Sequence, residues 1–264
     1  MTLEEHFSLA RPPFPRVAPD AALLRHPGLE EVLARLRFAL DRDTIALLVD
    51  DSGCGKSTAL SLFARSLDAA SHQLVTLSLT TLAPFGLLAS ISVALGLRPR
   101  RFKGETAAAL LGHLRSLPKR TVLLIDEAHL LPDASLEDLR LLTADDFDRK
   151  SPFALILAGQ PLLRDRLAEP AHWALSQRIG VRIRLRPLTE AEVAAFLDRH
   201  LKAAGAKKPL FDPPAVAALF QHSRGIPRLV QNIALASALL AMNAGAKTID
   251  QPTVQQAVVD LEEL

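Results

Sequence analysis

The chain has 264 residues, 49% of them hydrophobic and 23% charged, with a formal net charge of +2. That is enough apolar sequence for one large domain, or one large and one small, and it excludes a disordered chain. A single cysteine, Cys54, excludes an internal disulfide or a multi-cysteine zinc centre and fits a reducing cytoplasm.

The opening segment, 1–28, reads as Pro-rich and irregular, with Pro12, Pro13, Pro15, Pro19 and Pro27 blocking long helices. It has no apolar core flanked by basic residues, so no signal peptide is expected. Leu29, Val32, Leu33, Leu36 and Leu40 form a helical stripe over 29–40. Residues 44–49 are a continuous apolar run ending in a Gly-containing turn, the pattern of a strand buried on both faces. Helices are expected over 57–67, 85–95, 106–117 and 136–147. Strands are expected over 73–79, 121–125, 153–158 and 181–185. Strands separated by helices at this spacing imply βαβ units and a parallel sheet.

After Pro187 the pattern becomes wholly helical. Thr189 with Glu192 is a capping box opening a helix to about residue 203, and Asp212-Pro213 caps a second. Residues 227–244 and 252–261 give two more. The expected division is 1–187, an α/β nucleotide-binding domain, and 188–264, an all-helical lid. The most apolar stretch, Ile233 to Met242, is too short for a bilayer, so no membrane contact is expected.

The turn after the first buried strand reads Asp50-Asp51-Ser52-Gly53-Cys54-Gly55-Lys56-Ser57-Thr58. A phosphate-binding loop requires Gly, four residues, then Gly-Lys-Ser/Thr. Gly53 and Gly55 let backbone N–H groups converge on phosphates at a helix N-terminus. Lys56 is expected to reach the β- and γ-phosphates of ATP, and the Ser57 hydroxyl to ligate Mg²⁺. Cys54 contributes its backbone. Asp50 stands where the pattern has its first glycine. The strand 122–125 ends in Asp126-Glu127, which places Asp126 at the metal shell and Glu127 to polarise a water for attack on the γ-phosphate. His129 reads as a helix-edge residue.

These motifs resemble the AAA+ superfamily, and within it the ExeA/TnsC/TniB group of bacterial ATPases. The matching residues are Phe7-Ser8-Leu9, Pro13-Phe14, Leu124-Ile125-Asp126-Glu127-Ala128-His129, Leu157-Ala158-Gly159-Gln160-Pro161, Gln177-Arg178-Ile179 and Gly225-Ile226-Pro227-Arg228. Asp50 departs from the group, which has Gly there. The resemblance implies an α/β P-loop fold, a parallel sheet sandwiched by helices, with a C-terminal helical lid. It implies that Gln160 senses the γ-phosphate, that Arg228 reaches back from the lid, and that Arg178 is an arginine finger entering a neighbouring subunit's site. A finger in trans requires a homo-oligomer, either a ring or a helical filament.

Arg98, Arg100, Arg101 and Lys103 concentrate four cations between two predicted helices, a density suited to the backbone of duplex DNA. The resemblance places DNA-contacting residues of TnsC-like filaments in this part of the domain. Arg182, Arg184 and Arg186 alternate on one strand face and read as structural or interfacial. Two functions follow, beside a third reading, a DNA-bound ATPase in another process such as replication or repair loading. One is a cytoplasmic regulator of transposition that assembles on DNA and recruits or activates a transposase. The alternative is an ATPase of the type II secretion assembly machinery, as ExeA-type proteins are. Those continue into a membrane span and a peptidoglycan-binding domain, so a chain stopping at Leu264 favours the DNA role at this stage.

Overall fold

The computed structural model describes residues 1–15, 19–78, 84–144 and 151–262. Five strands form one parallel sheet: β1 (Ile45–Val49), β2 (His72–Leu77), β3 (Arg120–Ile125), β4 (Phe153–Gly159) and β5 (Ile179–Ile183), in the order β2-β3-β4-β1-β5. The three inner strands are the continuous apolar runs, and both β1 and β4 are buried at every position. The outer strand β5 alternates buried and exposed residues: Ile179, Val181 and Ile183 are buried, and Gly180 and Arg182 face solvent. This is how strand sequences distinguish the middle of a parallel sheet from its edge.

The helices are α1 (Leu3–Phe7), α2 (Pro27–Asp41), α3 (Lys56–Ser66), α4 (Pro84–Ala94), α5 (Lys103–Ser116), α6 (Asp133–Thr143), α7 (Pro161–Leu167), α8 (Trp173–Gln177), α9 (Glu190–Ala204), α10 (Pro213–Ser223), α11 (Pro227–Asn243) and α12 (Gln251–Glu262). The chain forms two compact units. One comprises Gly28–Ser52 and Lys56–Leu185, and contains the sheet. Its core includes Leu47 and Val49 of β1, Leu123 and Ile125 of β3, and Leu155 and Leu157 of β4. The other comprises Met1–Pro27, Gly53–Gly55 and Arg186–Leu264. Its core joins Leu3 and Phe7 to Leu197, Leu201, Leu219 and Val230.

The structure differs from the sequence expectation in several places. The opening segment is not wholly irregular. Thr2 and Glu5 form a full capping box that starts α1, and Leu3 and Phe7 bury its apolar side. Residues Met1–Pro27 belong to the same compact unit as Arg186–Leu264. Helix α5 begins three residues before the expected Thr106, whose hydroxyl instead accepts the Arg100 N–H at 2.9 Å. Helix α6 likewise starts at Asp133, and the expected helical residues 145–147 lie outside the described residues, as does Leu79. Short helices α7 and α8 lack a long periodic stripe and were not expected. An isolated parallel bridge, Phe211 to Ile249, stands in the otherwise helical unit.

Candidate functional site: a phosphate loop and its acidic partner

The loop between β1 and α3 is shaped by two glycines in the left-handed region, Gly53 at φ 86 and Gly55 at φ 99. Gly53 also has no room for a side chain, because a Cβ there would lie 2.7 Å from the Arg228 Cβ. Cys54 between them is buried, whereas Ser52, Ser57 and Thr58 are exposed. Lys56 is 6% exposed, and its ammonium donates to the carbonyls of Asp50 and Asp51, each at 2.6 Å. An ammonium has three N–H donors, so these two bonds leave one directed elsewhere.

Parallel pairing of β3 with β4 and β4 with β1 brings the end of β3 near this loop. The Ser57 hydroxyl donates to Asp126 Oδ2 at 3.1 Å, while Asp126 Oδ1 accepts the Glu127 N–H at 2.9 Å. A hydroxyl and a carboxylate side by side are hard oxygen donors of the kind Mg²⁺ takes alongside substrate phosphates. Among the described residues no cluster of three His, Cys, Asp or Glu side chains suits a metal. Glu127 sits at φ 53, a left-handed conformation that costs a non-glycine residue energy. Strain of this kind concentrates at functional positions.

His129 occupies a short 3₁₀ turn (Ala128–Leu130) and is buried, not at a helix edge. Its Nδ1 lies 3.5 Å from Glu127 Oε2 and 3.4 Å from the Gln160 backbone nitrogen, which donates to it. A side chain at Gly159 would press on this residue, its Cβ falling 3.1 Å from the His129 nitrogen. The histidine therefore connects Glu127 with Gln160, the N-cap of α7. The sequence does not show this, because the partners follow different strands, β3 and β4, which only the sheet brings together.

Arg228 opens α11, and its N–H donates to the Gly53 carbonyl at 3.3 Å. Arg178 is different. It immediately precedes β5, whose first residue pairs with Ile45 at the start of β1, whereas the phosphate loop follows Val49 at the other end. The sheet therefore separates Arg178 from its own chain's loop by about 13 Å at the usual strand rise. Its carbonyl accepts the Thr44 hydroxyl at 3.4 Å.

Arg98, Arg100 and Arg101 are exposed in the connection between α4 and α5, and the Arg101 guanidinium lies 5.5 Å from the exposed ring of Phe102. Lys103 is set apart from them: it starts α5 and pairs with Asp138 at 2.7 Å. Of the alternating arginines, Arg182 donates to Ser176 and Arg186 makes a two-pronged contact with Glu192.

Sheet order, glycine-shaped loop and acidic strand end together define a P-loop domain with the AAA fold. The family described as "AAA domain" matches residues 39–167. The chain is 33% identical over 97% of its length to "General secretion pathway protein A" of Aeromonas hydrophila, and it spans 48% of that relative. Among solved structures it is similar to Cdc6p from Pyrobaculum aerophilum (TM-score 0.67, 21% identity, 93% of this chain and 68% of that one). It is also similar to the Aeropyrum pernix ORC1 protein in complex with DNA (TM-score 0.68, 20% identity, 92% and 68%). The Thermotoga maritima RuvB Holliday junction branch migration motor is a third (TM-score 0.58, 23% identity, 88% and 69%). At these identities the structural likenesses establish the fold. Because the chain spans about half of the secretion relative, its end at Leu264 no longer separates the two functional readings. No described helix is long and apolar enough to cross a membrane.

Proposed function

We propose that this chain is a Mg²⁺-dependent ATPase module of a general secretion assembly system, working on the cytoplasmic side as a homo-oligomer. The observation that carries the chemistry is the Ser57 hydroxyl bonded to the Asp126 carboxylate next to the buried Lys56, with the Glu127 N–H held by the same carboxylate. The secretion role is supported by the 33% identity that runs through 97% of the chain. When bound, ATP supplies the phosphoanhydride and Mg²⁺ offsets its charge. The remaining Lys56 N–H and the loop amides of Gly53–Thr58 bind phosphate. Ser57 and Asp126 hold the cation, and Glu127 orients the attacking water. Gln160 senses the γ-phosphate, and Arg228 closes on the loop. The distance of Arg178 from its own loop fits a finger supplied to a neighbouring subunit, in a ring or filament.

The test is nucleotide binding and turnover by the wild type, Lys56→Ala and Glu127→Gln. Lys56→Ala should lose Mg²⁺–ATP binding. Glu127→Gln should keep binding and lose turnover by about 100-fold or more, the scale of a missing general base. Wild-type protein with no Lys56-dependent binding sinks the reading.

A second reading, a transposition regulator acting on duplex DNA with a transposase, is favoured by one observation: Arg98, Arg100 and Arg101 stand exposed together. Duplex DNA separates the two. Stimulated turnover that disappears on replacing the three arginines by Ala supports the DNA role, and indifference to DNA leaves secretion.

A further inference from the structure

Asp50 stands where phosphate loops place a glycine, and it is not in the left-handed conformation that would call for one. The residue is 7% exposed, and both carboxylate oxygens are engaged by backbone donors. Oδ1 accepts the Asp51 N–H at 2.9 Å, and Oδ2 accepts the Leu185 N–H at 3.0 Å. The Asp50 N–H itself donates to the Gly159 carbonyl at 3.2 Å. The ladder between β1 and β5 ends at the pair Leu48 and Ile183. Two residues further along each strand, the Asp50 carboxylate supplies the link that the ladder no longer makes.

The same residue bears on the catalytic lysine. The carbonyls of Asp50 and Asp51 are the two acceptors of the Lys56 ammonium. The Asp50–Asp51 peptide therefore has its N–H fixed by the Asp50 carboxylate and its carbonyl bonded to Lys56, and the next carbonyl along, that of Asp51, is the second acceptor. We propose that Asp50 is a positioning residue: its carboxylate ties the first turn of the phosphate loop to Leu185, just beyond β5, and so holds Lys56 ready for phosphate. This rests on the nucleotide-binding reading above. A glycine would leave the buried Leu185 N–H without its acceptor and return backbone freedom to the turn. Restoring the usual loop pattern should thus impair this protein.

The experiment is titration of wild type, Asp50→Gly, Asp50→Asn and Lys56→Ala with a fluorescent ATP analogue and Mg²⁺, below the unfolding temperature of each. Hydrogen exchange at the Asp51 and Leu185 amides is followed in parallel. Asp50→Gly should bind about tenfold more weakly, the scale of one charge-assisted hydrogen bond. It should raise KM more than it lowers kcat, and speed exchange at both amides. Asp50→Asn keeps one carbonyl oxygen for the two donors and should fall between. Asp50→Gly binding as tightly as wild type, or tighter, overturns the proposal. Faster exchange with unchanged affinity also overturns it, since that is a purely structural role. Should Asp50→Gly not fold, Asp50→Asn with wild-type affinity has the same force. Wild type without Lys56-dependent binding refutes the nucleotide reading itself, a distinct outcome.

Discussion

Lys56 is buried among backbone carbonyls, and this arrangement is sensitive to shape as well as charge. Arginine carries the same charge on a planar fork that cannot make three divergent bonds from one nitrogen. Lys56→Arg is therefore expected to lose Mg²⁺–ATP affinity almost as completely as Lys56→Ala in a binding titration. Glu127 makes the opposite kind of prediction. Its φ of 53 is relieved by glycine, so Glu127→Gly should raise stability in urea by about 1 kcal/mol while turnover disappears. An unchanged or lowered urea midpoint would mean the strain is not stored there. The candidate residues legible in the sequence are those marked by local spacing. Gly53, Gly55, Lys56 and Ser57 are readable from spacing, and Asp126 from its place after a buried strand. His129 was not readable, because its partner Gln160 is brought to it only by the pairing of β3 with β4.

At the scale of elements, the parts found correctly were those with an internal signal. The inner strands announced themselves by continuous apolar runs, and α9 by Thr189 and Glu192, whose reciprocal bonds are present at 3.3 and 2.8 Å. The same signature at Thr2 and Glu5 starts α1 even though a Pro-rich stretch follows it. The short α7 and α8 have too few turns for a period to show. Gly225 is a case where a motif residue has a plain packing cause. It sits at φ 72, and a Cβ there would fall 2.0 Å from the Leu188 carbonyl, which belongs to the residue whose N–H donates to Gly225 at 2.9 Å. Gly225→Ala should therefore cost about 3 kcal/mol or more, since both the conformation and the backbone contact must give. Thermal unfolding measures this. A cost below about 1 kcal/mol would show that the turn between α10 and α11 can relax.

For the molecule as a whole, the two cores differ in what acid does to them. The helical unit buries His200, 3% exposed, between the rings of Phe14 and Phe196, with centroids 5.3 and 4.4 Å away. Its Nδ1 has no hydrogen-bond partner among the described residues. Burial pushes its pKa down from 6.5 to about 4. The unfolded chain therefore binds the proton first, and stability is lost as pH falls from 6.5 toward 4, by up to about 3 kcal/mol. The same unit holds Glu192, whose carboxylate is drawn down from 4.5 to about 2, chiefly by the Arg186 guanidinium and then by the Thr189 N–H. That contribution is complete above 4.5 and is lost as pH falls through about 2; Arg186 is partly solvated, so it amounts to about 1 kcal/mol. Hydrogen-exchange protection, corrected for the intrinsic effect of pH, should accordingly decline in α9 and α11 between pH 6.5 and 4 while β1, β3 and β4 hold theirs. His200→Phe supplies a ring of similar shape without the proton site, and it should abolish this loss while leaving the lower-pH step of Glu192 in place. Equal loss of protection in both units, or loss that persists in His200→Phe, would place the acid-sensitive group outside the Phe14–Phe196–His200 cluster.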